Sequence, residues 1–329
     1  MSFFKSVVNF LKPAPPLRPE VARALDRVAE IVDPMLRNVG GFERRLAGPL
    51  EHALGYCAGL VDGLPGPIDM DRESFAKDPL VHALFATAGD IEQMLGRSQA
   101  VRDFVVSPAS LESDYFYALF AARRHQKTQL GMSRHGDVIH GDVPQVVVYF
   151  ADHLLIEPNC QLATLQEAMR ARSLESLLMT FREHVDALRL ERDGLRADTS
   201  VERAHLIVRH GQSPGGDVTV HTRHLKDLEA KLREKAESLM PEQILETLAD
   251  FLLQPEASFS ATSARITVDR LGIVCEESAD DANVSTLDFP EIRGRDKRIY
   301  MVTLARLHRD EARAAVDIVR DQQHRFMII

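Results

Sequence analysis

Two histidines and two aspartates recur in a short stretch punctuated by glycine, His135-Gly-Asp137-Val and His140-Gly-Asp142-Val. Imidazole and carboxylate groups hold zinc and di-metal centres, so His135, Asp137, His140 and Asp142 are candidate metal ligands. On one continuous strand the two histidines, an odd number of residues apart, would face opposite ways. A turn between them is needed before the ligands converge. The glycines suit such a turn, and a plain connecting loop is the competing reading. A second chemistry-bearing pair is Arg209-His210, inside Leu206-Ile-Val-Arg-His-Gly-Gln-Ser213. A guanidinium there would neutralise phosphate oxygens while the ring nitrogen attacks phosphorus. His221 and His224 are spaced for one face of a helix, but no HExxH pattern accompanies them.

The run Leu206–Ser213 resembles the strand-and-loop signature of the histidine phosphatase (phosphoglycerate mutase-like) superfamily. The resemblance covers only this short run. It implies that His210 is a phosphoryl-accepting nucleophile, that Arg209 binds phosphate, and that Ala204 to Arg209 is a strand with His210 at its carboxyl end. The same residues also read as the end of a helix capped by Gly211. The chain has no GxxxxGK[ST] or GxGxxG phosphate loop and no GxSxG elbow. No cofactor is expected.

Composition narrows the classes further. The chain has 329 residues, of which 45% are hydrophobic and 27% charged. That is ample for a buried core in one large domain or two. A net charge of −9 argues against bulk nucleic-acid binding, though not against a local basic patch. Cys57, Cys160 and Cys275 are scattered and show no metal-ligand spacing, as expected of reduced thiols in the cytoplasm. No apolar run approaches the ~18 residues of a membrane span.

The elements that must position these residues emerge from periodicity. Residues 20–125 read as a helical region, with Val21, Leu25, Val28, Ile31 and Val32 before Pro34, then Phe42 to Leu60. A helix through Leu80, Leu84, Ile91 and Leu95 is expected to open at Pro79. Another is expected at Pro108, with Leu111, Tyr115, Leu119 and Phe120 on its apolar side. From about 126 the pattern changes. Gln145 to Phe150 reads as a central strand with Lys127 to Met132 as its neighbour. Residues 161–253 return to helix: Leu225, Leu228, Leu232, Ala236 and Leu239 form a 3-4 seam, and Ser213-Pro-Gly-Gly216 is the tip of a helical hairpin. Arg265 to Val268, Leu271 to Val274 and Ile299 to Leu304 are strand-like, with a turn or bulge at Asp269-Arg270. A closing helix is expected around Glu311 to Arg320. The assembly is α+β and mainly helical. Its antiparallel sheet comes from 126–160 and 254–329, and the hairpin is inserted between them. Separate sheets in two domains are the alternative.

Residues 1–19 stand apart. Phe3, Phe4, Val7, Val8, Phe10 and Leu11 fall on one helical arc, with Lys5 and Lys12 on the other, ahead of a Pro-rich tether. Such a segment docks on a protein partner, on an anionic membrane surface or on a groove of the chain's own helical domain. Arg293-Gly-Arg-Asp-Lys-Arg298 is a basic turn, able to touch phosphate or an acidic partner; the competing readings are a solvated hairpin tip and pairing with the acidic run Glu276 to Asp281. The reading that unites these features is a non-enzymatic cytoplasmic scaffold or adaptor, peripheral to the inner face of a membrane if the N-terminal helix seeks lipid. The alternatives are a phosphohydrolase using His210 and a metal-binding protein. Oligomeric state is left open.

Overall fold

The computed structural model describes residues 17–135, 138–212, 219–275 and 284–326. The protein is a mainly helical α+β molecule with a six-stranded, mostly antiparallel sheet. Along the chain, the helical hairpin is inserted between the two strand sets. The chain forms two compact units. One comprises the residues up to Tyr56 together with Leu174–Ser258. The other comprises Cys57–Ser173 together with Phe259 onward.

The sheet belongs to the second unit. Its strands are β1 (Ile68–Asp69), β2 (Tyr115–His135), β3 (Val138–Asn159), β4 (Ala261–Asp269), β5 (Val284–Arg293) and β6 (Ile299–His308), in the order β3-β2-β6-β5-β4. β1 joins the edge of β6 in parallel at Ala305 and Arg306, further along than the residues of β6 that pair with β5. The helix expected to carry Tyr115, Leu119 and Phe120 is instead a short 3-10 turn, Pro108–Glu112, with β2 after it. Alternation explains the correction. Phe116, Ala118, Phe120 and Ala122 are all fully buried at every second position, a period that only a strand turns to one face.

β5 is not evident from the sequence. Pro290 and Asp288 lie within it, and proline is a poor sign of a strand. The structure accommodates Pro290 opposite Ser263 of β4, just where β5 leaves β6, whose pairing with it covers Glu291 to Arg293 only. The turn expected near Asp269 is present. Its Oδ1 accepts the N–H groups of Leu271 and Ile273, each at 2.8 Å. Residues 271–275 then bridge the two edge strands. Val148 N–H donates to Gly272 O, Val274 N–H to Val146 O, Asp269 N–H to Ile273 O and Cys275 N–H to Thr267 O. The sheet thereby closes on itself, leaving neither β3 nor β4 a free edge at this level.

The inward face of the sheet packs Phe116, Phe120, Phe150, Phe289 and Met301 against three helices, Ala88–Arg97, Gln99–Val105 and Arg309–Phe326. The last of these is the expected closing helix. The helix expected from Pro79 through Leu95 is interrupted after Leu84. Thr87 starts a new one with a capping box, in which Asp90 Oδ2 accepts the Thr87 N–H at 2.8 Å.

His153 ties a helix end to this core. Its Nε2–H donates to Leu84 O at 2.7 Å and its ring stacks on Phe85 at 4.7 Å between centroids. Burial lowers its pKa, so the neutral ring is the native form. The unfolded chain therefore takes up a proton, near the ordinary histidine pKa of about 6.5, that the native state resists. Stability from this site is complete above about pH 6.5 and is lost as pH falls from there toward the depressed native value. His153→Gln keeps a donor for Leu84 O and removes the titration. The drop in urea midpoint between pH 7.5 and 5 is expected to shrink in that variant, and an unchanged drop would contradict the assignment.

Candidate functional site

The first unit is built on one long helix. We label its helices α1 (Pro19–Ile31), α2 (Leu162–Gln212, with Leu174 onward in this unit), α3 (Thr219–Ser238) and α4 (Pro241–Leu252). At 1.5 Å per residue, the 51 residues of α2 extend about 76 Å. α1 lies along its first part. Arg27 pairs with Glu175 at 2.6 Å, Arg182 donates to Ile31 O, and Arg189 pairs with Asp33 at 2.5 Å. Phe251 of α4 packs on Phe181 there. Beyond Arg189, besides Arg192–Asp193 and His205–Glu202 within α2, three ion pairs join α2 to α3: Glu191–Lys235, Arg203–Glu229 and Glu202–His221, each at 2.7 Å. Glu191 meets the far end of α3 at Lys235 while Glu202 meets its start at His221, as in an antiparallel hairpin.

The hairpin seam is a heptad seam. On α3 it runs through His221, Leu225, Leu228, Leu232 and Lys235, with Leu239 just past its end, all buried or half-buried. Ala236, expected in the seam, is exposed, and Lys235 takes that level because Glu191 meets it. On α2 the facing row is Leu188, Arg192, Leu195, Thr199, Glu202 and Leu206. Polar groups inside the seam are satisfied locally. Thr199 donates to Leu195 O, and Glu202 receives the His221 Nδ1–H. The bond from His221, reinforced by the positive charge of His224 and His205 when protonated, holds the Glu202 carboxyl below the usual carboxylate range.

α2 carries a second heptad row that α3 does not cover. Ala187, Leu190, Gly194, Ala197, Val201, Ala204 and Val208 succeed one another at alternating spacings of three and four, and every one is exposed. Leu190 is 76% exposed, and Val201 and Val208 are each 55% exposed. A helix with two adjacent apolar rows is built to touch two helices, and among the described residues no second helix covers this row. In the sequence the dense Leu and Met run of this helix ends at Leu190, which hides the row beyond it, although the 3-4 spacing continues.

The candidate chemical residues fall elsewhere. Ala204 to Gln212 continue α2, so the strand expected at Ala204 to Arg209, with His210 at its end, is corrected to helix. The 3-4 repeat of the seam runs on through Leu206, and nothing breaks it before Ser213-Pro214. The side chains of Arg209 and His210 lie outside the described residues, as does the loop 213–218. His135 ends β2 and Val138 begins β3, and His140 pairs across the hairpin with Ser133. His140 and Asp142 are exposed, with Asp142 in the left-handed region at φ 59°, while Asp137 and the His135 side chain lie outside the described residues. Among the described residues no group of three histidine, cysteine or acidic side chains is placed to hold a metal. Phe3, Phe4, Lys5, Val7, Val8, Phe10, Leu11 and Lys12 also lie outside the described residues, as does the acidic run 276–281. No described helix is long and apolar enough to cross a membrane.

The second unit has a shallow, open cleft of about 580 Å3, lined by Asp69, Asp71, Glu73, Asp78, Tyr115 and Arg306 among others. Its carboxylates are already engaged. Asp69 takes a two-pronged ion pair from Arg306, Glu73 pairs with Lys77, Asp71 caps at Ser74 N–H, and Asp78 caps at Leu80 and Val81 N–H. The Arg306 guanidinium also lies over the Tyr115 ring, 5.2 Å from its centroid. These groups close helix ends and hold β1 to β6, which accounts for the cluster structurally.

Comparison of the chain with protein-family models, with curated proteins and with solved structures finds no match.

Proposed function

We propose that this protein is a non-enzymatic scaffold whose helical hairpin docks a further helix, and that the docked helix is α2 of a second copy. The observation that carries the reading is the exposed row from Ala187 to Val208. The row is self-complementary. A two-fold axis at the level of Thr199 sets Leu190 against the partner's Val208, Gly194 against the partner's Ala204, and Ala197 against the partner's Val201. Each layer thus joins a large or branched side chain to a smaller one, or two small ones, and the small residues let the backbones approach.

Charge selects the antiparallel arrangement. In a parallel pair Asp193 would meet the partner's Asp198 and Asp186 the partner's Glu191, and like charges set against each other are repulsive. The antiparallel pair leaves Asp198 alone against its own copy and brings Glu191 opposite the partner's His205. Two hairpins so joined form a four-helix bundle.

Sedimentation equilibrium of the full chain tests the reading. The expected mass is twice the 36.8 kDa of one chain. A single-chain mass at tens of micromolar would overturn self-pairing. The N-terminal segment supplies a second docking element, for a partner or an anionic membrane surface. Co-sedimentation with anionic vesicles is expected for the full chain and not for a chain starting at Arg18. Absence of binding by both would remove the membrane as a docking surface.

A further inference from the structure

The arm formed by the outer halves of β2 and β3 carries a set of side chains that the scaffold reading does not use. β6 pairs with β2 only as far as Ala122, opposite Met301. Beyond that point, on the face away from the core, His125 of β2 lies directly across from Tyr149 of β3. Their rings are stacked at 5.2 Å with 14° between planes. Tyr149 is 43% exposed, and the Lys127 ammonium sits 5.7 Å from its ring centroid. Arg123, on the same face, pairs with Asp152 at 2.8 Å.

The β5–β6 turn adjoins this face. Asp296 builds it, accepting the Arg298 N–H at 3.0 Å and the Tyr300 hydroxyl at 2.8 Å, and Gly294 N–H donates to Arg298 O. The Arg298 guanidinium reaches the same carboxylate at 3.6 Å. Arg123 is near enough to help hold the Asp296 carboxyl below its usual range, after the bonds from Tyr300 and Arg298. The one acid of the turn is thus spent on its own geometry, while Arg293, Arg295, Lys297 and Arg298 are all exposed. Among the described residues, Arg123, Lys127 and the four cations of the turn outnumber the carboxylates of Asp152 and Asp296, in a chain whose net charge is −9.

We propose that this face binds single-stranded nucleic acid, with bases stacking on Tyr149 and His125 and phosphates tracking along the basic turn. Aromatic rings set beside exposed cations on a sheet face are what unpaired bases require, since every base has a stacking surface. A duplex keeps its bases stacked inward and cannot use the rings, and a lipid headgroup has no base to place on them. The acidic remainder of the molecule repels a polyanion elsewhere and leaves this face as its landing point. Binding here does not depend on the hairpin or on self-pairing.

Fluorescence anisotropy of the full chain with a labelled single strand of about sixteen nucleotides, as RNA and as DNA, is the test. Binding is expected at about 50 mM salt and should weaken as salt rises. Tyr149→Ala should weaken it about tenfold and Tyr149→Phe should retain it. Arg298→Gln, on the exposed turn, should lower the salt slope by about 0.7. No binding of the single strand would overturn the proposal. So would a duplex of equal length binding as tightly, or a Tyr149→Ala variant binding like the wild type. Binding of a chain starting at Arg18 to phosphatidylserine vesicles but not to the oligonucleotide would overturn the proposal and assign the face to a membrane surface instead.

Discussion

Gly272→Ala is expected to destabilise the sheet-bearing unit by about 2–4 kcal/mol, from backbone strain together with weakened hydrogen bonds. Gly272 has φ +78°, a conformation that a side chain makes costly. A Cβ built there would come within 2.4 Å of the Val148 carbonyl oxygen, a backbone atom that cannot rotate away. The only relief is to move residues 271–275 off β3. That sacrifices the bond from Val148 N–H to Gly272 O and the bond from Val274 N–H to Val146 O, which close the sheet. Gly59, in a helix of the same unit with open space around it, provides the contrast. Gly59→Ala should raise stability by about 0.5–1 kcal/mol, because only helix propensity changes. Thermal and urea unfolding of the two variants should shift in opposite directions. An unaffected Gly272→Ala would mean that the sheet is not closed by this segment in solution.

The second large effect is expected at the hairpin. Val201→Glu leaves the fold intact, because the side chain is exposed in the single chain and faces away from the α2–α3 seam. In the paired hairpins it would place two carboxylates, one from each copy, in layers that also hold Ala197. Burying a charge without a partner costs several kcal/mol, and each 1.4 kcal/mol is tenfold in the dissociation constant. Self-association should therefore weaken by at least about 100-fold, with the circular dichroism of the variant unchanged. Ser200→Glu, beside the row and not in it, should weaken association far less. Equal losses in both variants would point to general repulsion and away from a specific seam.

The parts legible in the sequence are those where one period runs without interruption. The seam through Leu225, Leu228 and Leu232 and the closing helix show a regular apolar repeat, and a regular repeat survives folding. Gln145 to Phe150 is a strand, as its β-branched and aromatic residues imply, but it belongs to β3 at the end of the strand order and is not central; residues 271–275 cover its outer edge and account for its apolar character on both faces. Errors arise where a local signal competes with a distant one. Ser107-Pro108 reads as a helix start, yet Phe116, Phe120 and their β6 neighbours draw the chain from Tyr115 onward into a strand. Leu206–Ser213 has the residue types of a phosphate site, but the backbone of Leu206 to Gln212 belongs to a helix whose register is dictated by α3. The basic face is beyond any single stretch of sequence, because it joins β2, β3 and the turn after β5 by strand register alone. The open row on α2 is readable in principle, but two periodic rows interleave on one helix and blur each other.

Self-pairing of α2 is tested most directly by site-specific crosslinking across the proposed two-fold axis. Cys160→Ser and Cys275→Ser remove the two partly exposed thiols. Cys57 can remain, because it is buried and its thiol is pushed up to about 12, leaving almost no thiolate at neutral pH. A single cysteine at Ser200 lies beside the axis and faces its own copy. At Ala187 the two copies would be separated by about 24 residues of helix rise, or about 36 Å. A short bismaleimide is expected to join two chains of the Ser200→Cys protein and to leave Ala187→Cys uncrosslinked. Crosslinking at both positions would show parallel helices, and crosslinking at neither would show that α2 does not meet its own copy, contradicting the scaffold as proposed.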